Sequence, residues 1–297
     1  MTSCPDLREI LLSGARRLTE AGVEGAARDA RLLLAHACSV EPLDIILRET
    51  ERADPALREC FEGLIARRAA GEPVSRIRGW REFYGRRFIL SPDVLDPRPE
   101  TELLVAEGVR RLPPDGRVLD LGTGSGCILL SVLGERGDAS GAGVDISSGA
   151  IVVARANALA LGAGGRAVFH EASFADAQPG MFDLVLSNPP YIPRSDVTEL
   201  AREVREHDPA LALSPGEDGL AAYRDILASM NCWLRPGGSL GLEVGVGQAG
   251  EVGRLMARAG LEDISALDDL AGIPRALFAR RPADHPMTAA HTEEILS

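Results

Sequence analysis

Arg117-Val118-Leu119-Asp120-Leu121-Gly122-Thr123-Gly124-Ser125-Gly126 decides the fold of this chain of 297 residues. A short apolar run ends in glycines at alternate positions, and a helical pattern follows over 126–135. The run reads as a buried strand. The glycines read as a turn that lets a ligand approach the backbone closely. Strand, glycine turn and helix in that order open a doubly wound α/β unit. Asp145 closes the next predicted strand, in Gly143-Val144-Asp145, 19 residues after Gly126. A carboxylate at that place can accept both hydroxyls of a ribose.

Outward from this stretch the alternation continues. Apolar runs predict strands at 117–121, 141–145, 166–170, 182–187, 238–243, 261–267 and 276–280. Helical periodicity predicts helices at 101–111, 126–135, 148–161, 218–235 and 248–259. Strands alternating with helices imply a mostly parallel sheet joined by right-handed crossovers. The last two strands are joined by a loop alone, so one of them is expected to run antiparallel. Residues 1–76 read instead as a small helical domain, with Leu7, Ile10, Leu11, Ala15 and Leu18 at helical spacing. Gly22 and Gly25 separate its first two helices, and Pro42 and Pro55 open further ones. Residues 77–96 contain a predicted β-hairpin linker, Phe83-Tyr84 and Phe88-Ile89-Leu90 flanking Gly85-Arg86-Arg87. The α/β domain is expected over 97–282, and 283–297 lacks periodicity and reads as a loose tail.

The glycine spacing is GxGxG. It is neither the dinucleotide GxGxxG nor a phosphate loop ending in Lys-Ser/Thr. Ribose recognition without a loop adapted to pyrophosphate points to S-adenosylmethionine rather than NAD. The expected cofactor contacts are Gly122, Thr123, Gly124, Ser125, Gly126, Asp145 and Asn188. Asp120, beside the loop, is expected to meet the cationic amino-acid end of that cofactor.

A second constellation follows the strand at 182–187: Asn188-Pro189-Pro190-Tyr191. Pro189 drives Asn188 toward an extended backbone, and neither proline carries an N–H. The segment therefore offers acceptors, the Asn188 side-chain oxygen and the Pro189 carbonyl, beside the aromatic face of Tyr191. Such a pocket suits a planar group bearing NH2, either an amide or the exocyclic amine of a base. Asn188, Pro189 and Tyr191 are the expected catalytic residues, and all four residues are expected to bind substrate.

Composition sets limits. The formal net charge is −12, and no residue is Lys. Residues 1–80 are near neutrality, with 12 Arg against 13 acids, so the acidity lies in the remainder. An acidic surface disfavours nucleic acid as a partner, since such binding rests on a basic footprint. Five scattered cysteines without a CxxC argue for a reducing cytoplasm and against disulfides or a zinc site. The five histidines have no ligand spacing, so no metal is expected. No apolar run reaches 18 residues and the N-terminus does not resemble a signal peptide, so no membrane span is expected.

The motifs together resemble the protein-(glutamine-N5) methyltransferases that modify peptide chain release factors, the HemK/PrmC type. The resemblance runs from the helical N-terminus to about residue 281. It rests on RGWREFYG (78–85), PRPETE (97–102), DLGTGSG (120–126) and SNPPYI (187–192). EVR (203–205), GEDGL (216–220) and DLAG (269–272) also fit. The resemblance implies a class I S-adenosylmethionine-dependent methyltransferase fold, with a doubly wound sheet and a small N-terminal helical domain that docks substrate. It implies transfer of a methyl group to the glutamine of the Gly-Gly-Gln loop in class 1 release factors. Asn188 and the residues after it would hold the glutamine amide. Where the family commonly has Asp-Trp before Phe at the adenine edge, this chain has Ala172-Ser173-Phe174, so adenine recognition is expected to fall to a backbone group, to Ser173 or to Phe174. A cytoplasmic monomer is expected. Two other substrates fit the same pocket: a glutamine of a ribosomal protein, and the amino group of a DNA or RNA base. A binding module without catalysis would need a damaged cofactor loop, and the glycines and Asp145 are intact.

Overall fold

The computed structural model describes residues 5–177, 180–213 and 216–283. All but the first residue of the expected tail lies outside the described residues. The chain divides into two compact units, Met1–Trp80 with Ala201–His207, and Arg81–Leu200 with Asp208–Ser297.

The first unit contains α1 (Leu7–Glu20), α2 (Ala26–Cys38), α3 (Asp44–Leu47), α4 (Pro55–Ala69) and α5 (Val74–Arg78). Asp6 and Glu9 start α1 with a reciprocal capping box, which satisfies two backbone donors that the first turn leaves open. Asp54 caps α4, and Pro55 occupies its first turn, where a missing N–H costs nothing. Leu18, Leu33, Leu34, Phe61 and Ile65 close a core of their own. A Cβ on Gly14 would lie 2.7 Å from the Phe61 ring, so the close packing of α1 on α4 needs glycine there. Segment 201–207 joins this unit although chain order places it inside the α/β region. The reason is Arg68, whose guanidinium donates to Asp29 at 2.7 Å and to Glu203 at 2.5 Å.

The division falls in a hairpin, β1 (Trp80–Phe83) and β2 (Arg86–Ile89). Tyr84 and Gly85, at φ 49° and 69°, form its two-residue turn with the left-handed backbone such turns require.

The second unit continues with α6 (Glu102–Arg111), β3 (Arg117–Leu121), α7 (Cys127–Glu135), β4 (Ser140–Asp145), α8 (Ser148–Ala160), β5 (Ala167–Glu171) and β6 (Phe182–Ser187). After α9 (Arg202–His207), which belongs to the first unit, come α10 (Ala221–Ser229), β7 (Leu234–Glu243), α11 (Ala249–Arg258), β8 (Glu262–Asp268) and β9 (Pro274–Arg280). Seven strands form one sheet in the order β5-β4-β3-β6-β7-β9-β8. Strands β3 to β7 pair in parallel, and β9 runs antiparallel to both β7 and β8. This is the doubly wound sheet expected from the sequence, with one antiparallel strand, β9, set between β7 and the edge strand β8.

Val118, Leu119, Leu184, Val185, Leu186, Leu240 and Leu242 are all fully buried in the central strands. Each contributes about 1.5–3 kcal/mol by leaving water. Their burial on both faces explains why these strands read as continuous apolar runs rather than alternating ones. The largest departure from the expected boundaries lies between α10 and β7. The helix expected over 218–235 ends at Ser229, and β7 begins at Leu234 rather than 238. Pro236-Gly237-Gly238 reads as a turn, yet the strand passes through it as a bulge. The pairing shifts register between Phe182 and Leu184, and Gly237 takes φ 78°.

Candidate active site

The chain runs outward from β3 to β4 and β5, then returns to place β6 on the other side of β3. Ligands of open α/β sheets bind at such a switch point, beyond the carboxyl ends of the strands. Register brings the ends together: Leu121 pairs with Val144 on one side and Ser187 on the other. The glycine turn, Asp145 and Asn188 therefore leave the sheet side by side. The Ser187 hydroxyl donates to the Leu121 carbonyl at 2.7 Å and ties the two exits.

A cleft of about 800 Å³ opens there. Gly122, Thr123, Gly124 and Ser125 line it from the turn, Asp145 and Ile146 from the end of β4, and Ser173 and Phe174 from beyond β5. Asn188 and Pro190 line it from beyond β6, and Thr101 from the turn before α6. Gly122, Gly124 and Gly126 take φ 71°, 53° and 80°. A Cβ on Gly124 would meet nothing within 4 Å, so the backbone there faces open space that a ligand can fill.

The Asp145 carboxylate accepts the Gly124 N–H at 2.9 Å and the Ser147 N–H at 2.9 Å. Burial raises its pKa, and these backbone donors oppose the rise. Each oxygen keeps a lone pair for a further donor. A nucleoside cofactor fits this set of groups: a carboxylate for ribose hydroxyls, a bare glycine backbone, and apolar Ile146 and Phe174 in the same lining.

Not every expected site residue is open to the cleft. Asp120 is fully buried and does not line the cleft. It accepts from the Thr123 hydroxyl at 2.7 Å and from the Leu129 N–H at 3.3 Å, so it braces the glycine turn from beneath. Burial pushes its pKa up to about 7. It is set beneath the turn rather than among the residues that line the cleft. Gly126 caps α7 in the left-handed conformation and also does not line the cleft. The Ser173 hydroxyl donates to Asp176 at 2.7 Å and accepts the Asp176 N–H, which closes a local turn.

The acceptor segment is tightly held. The Asn188 Nδ2 group donates to the Thr101 hydroxyl at 3.2 Å, which turns Oδ1 away from that contact. The Gln248 Nε2 group donates to the Tyr191 carbonyl at 3.0 Å, while Gln248 Oε1 accepts the Gly245 N–H at 3.1 Å. Pro189 and Tyr191 do not line the cleft. The Tyr191 ring packs against the apolar core beside Gly245, and burial pushes its pKa up to about 12. The ring is half-buried, with one side against the core.

Two residues that sequence reasoning missed stand behind Asn188. Thr101 is buried, and its hydroxyl donates to Glu243 Oε2 at 2.6 Å. Glu243, at the end of β7, is buried too, and desolvation pushes its pKa up to about 7. The signal for Glu243 was present: a lone acid within the apolar run Leu240-Gly241-Leu242-Glu243-Val244. The signal for Thr101 was its place in the PRPETE block.

Comparison with known proteins places these features. The family described as "PrmC N-terminal domain" matches residues 9–79, and "Methyltransferase small domain" matches 85–211. The release factor glutamine methyltransferase of Rhodospirillum rubrum is 46% identical over 97% of this chain and 89% of its own length. That of Cereibacter sphaeroides is also 46% identical, over 93% of this chain and 98% of its own. The chain belongs to the release factor glutamine methyltransferase family. A solved structure from Alicyclobacillus acidocaldarius, described as a release factor-specific protein-(glutamine-N5) methyltransferase, is 32% identical. It covers 66% of this chain and 99% of its own, with a TM-score of 0.40. Among the described residues no group of His, Cys, Asp and Glu could hold a metal ion, and no helix is long and apolar enough to cross a membrane.

Proposed function

We propose that this methyltransferase uses S-adenosylmethionine to methylate the side-chain amide nitrogen of the glutamine in the Gly-Gly-Gln loop of class 1 release factors. One observation carries the reading. Asn188 leaves the sheet at the switch point, on the wall of the cleft that Asp145 and the glycine turn also line, with its Nδ2 group turned to donate to Thr101. Its Oδ1 is left as an acceptor for a guest NH2 group. The same reading takes the Pro189 carbonyl, one residue on and outside the residues that line the cleft, as the second acceptor.

The cofactor, when bound, supplies an electrophilic methyl group on a sulfonium. Gly122 to Ser125 and Asp145 would hold it. The protein's own work concerns the nucleophile. An amide nitrogen is poor at attack because its lone pair is delocalised into the carbonyl. Donation of one N–H to Asn188 Oδ1 and the other to the Pro189 carbonyl fixes the NH2 plane. The out-of-plane density then points to one side. Fixing reactants in this way lowers barriers by roughly 7–11 kcal/mol in favourable cases. The same acceptors stabilise positive charge that develops on nitrogen. The methylated amide cation is strongly acidic and loses its proton to water.

Asn188→Ala tests the reading. The variant is expected to keep its fold and cofactor affinity and to lose most turnover. Full turnover in that variant would contradict the assignment.

A further inference from the structure

We propose that Glu243 and Thr101 are positioning residues that fix which end of the Asn188 side-chain amide faces the substrate. This rests on the proposed reading of Asn188 as the acceptor for the substrate amide.

The argument is one of hydrogen-bond direction. Asn188 can present either an oxygen or an NH2 group to the cleft, and the two differ little in shape. Only the oxygen accepts from a substrate amide. An NH2 group in its place would oppose the donors of the substrate. The choice is made at Thr101. An ionised Glu243 carboxylate can only accept. The Thr101 hydroxyl therefore spends its proton on Glu243 Oε2, at 2.6 Å. Its oxygen is then left with lone pairs alone toward Asn188, so Asn188 must offer Nδ2, at 3.2 Å. Oδ1 is left for the guest. Sheet register supports the chain of contacts: Ser187 pairs with Leu242, so Asn188 and Glu243 are the next residues on neighbouring parallel strands.

Protonation would reverse the polarity. A protonated Glu243 can donate to the Thr101 oxygen, which frees the hydroxyl proton to point at Asn188. Asn188 then gains by offering Oδ1 to Thr101, and NH2 turns to the cleft. The groups acting on Glu243 come from several elements. Glu100 raises its pKa, whereas Arg275 of β9 and Arg98 lower it. Tyr191, Tyr223 of α10 and Cys127 of α7 also feel its charge.

The test measures kcat, KM for a purified class 1 release factor, and the dissociation constant for S-adenosylmethionine, across pH 6 to about 8.5 around the Glu243 midpoint of about 7. Thr101→Val keeps shape and removes the relay. It is expected to lower kcat about 10- to 100-fold, the kinetic equivalent of one misplaced buried hydrogen bond, with cofactor affinity within about twofold of the parent. Thr101→Ser restores the hydroxyl and is expected to recover most of the loss. Glu243→Gln does not titrate and is expected to lose the acidic limb of the wild-type kcat profile. A Thr101→Val enzyme with wild-type kcat, or a Glu243→Gln enzyme that keeps that limb, overturns the proposal. Should Thr101→Val fail to fold, the Glu243→Gln profile decides alone. Asn188→Ala, measured alongside, separates the two levels. If it is inactive while Thr101→Val is fully active, only the relay falls; if it is fully active, the reading of Asn188 falls with it.

Discussion

The Gly124 N–H donates to the Asp145 carboxylate at 2.9 Å, so the tip of the cofactor turn and the acid at the end of the neighbouring strand hold each other. The contact makes Asp145 a brace for the turn, beside its proposed role as an acceptor for ribose hydroxyls. Replacing it therefore removes two things at once.

Asp145→Ala is expected to weaken S-adenosylmethionine binding by tenfold or more, on the order of one charge-assisted hydrogen bond. Titration calorimetry of the variant checks this. An unchanged dissociation constant would remove Asp145 from the cofactor site.

Gly219 takes φ 72°, and a Cβ there would lie 2.5 Å from the Tyr191 carbonyl and 2.9 Å from Gln248 Nε2. Gly219→Ala therefore displaces the bond by which Gln248 holds the acceptor segment. Turnover is expected to fall while cofactor affinity stays close to that of the parent, because Gly122 to Ser125 and Asp145 are untouched. Steady-state kinetics beside cofactor titration distinguish this from general unfolding.

Glu243 has a folded-state pKa raised from 4.5 to about 7 by burial. A raised carboxyl pKa favours the folded protein at low pH, and that contribution is lost as pH rises from the unfolded value to the folded one. Glu243→Gln carries no such dependence. The variant is thus expected to gain stability relative to wild type between pH 4.5 and about 7, with a constant difference above that range. Urea denaturation of both proteins across this range checks the sign. Asp120, also raised to about 7, titrates in both proteins and cancels from the comparison.

In the first unit, Arg68 has a side chain only 7% exposed between Asp29 and Glu203. Arg68→Ala would strand Asp29, whose side chain is 14% exposed, without its cation. Breaking a buried pair from one side costs about 3 kcal/mol or more. Hydrogen exchange is expected to show faster opening of α2 and α4, with the sheet of the second unit unchanged.

The fold was legible because its physics is local. Buried parallel strands such as β3 and β6 are apolar throughout, and the glycine turn follows β3 directly. Asn188 and Asp145 were legible for the same reason, since each stands at the end of an apolar run. The Thr101–Glu243 contact was not, because its partners are 142 residues apart and meet only through sheet order. The burial of Asp120 was not legible, since sequence adjacency to the turn does not say which side of the strand the carboxylate takes. The start of β7 was missed because Pro236-Gly237-Gly238 signals a turn, and only pairing with β6 shows the bulge. Segment 201–207 joins the first unit through the Arg68 ion pairs, which no periodicity could reveal.

The central claim is that the acceptor segment after β6 presents a glutamine amide to the methyl group. The most direct measurement is methyl transfer from labelled S-adenosylmethionine to a purified class 1 release factor and to the same factor with Ala in place of the glutamine of its Gly-Gly-Gln loop. Label on the first and none on the second is the expected result. Equal labelling of both, or none on either when cofactor binding is intact, would contradict it.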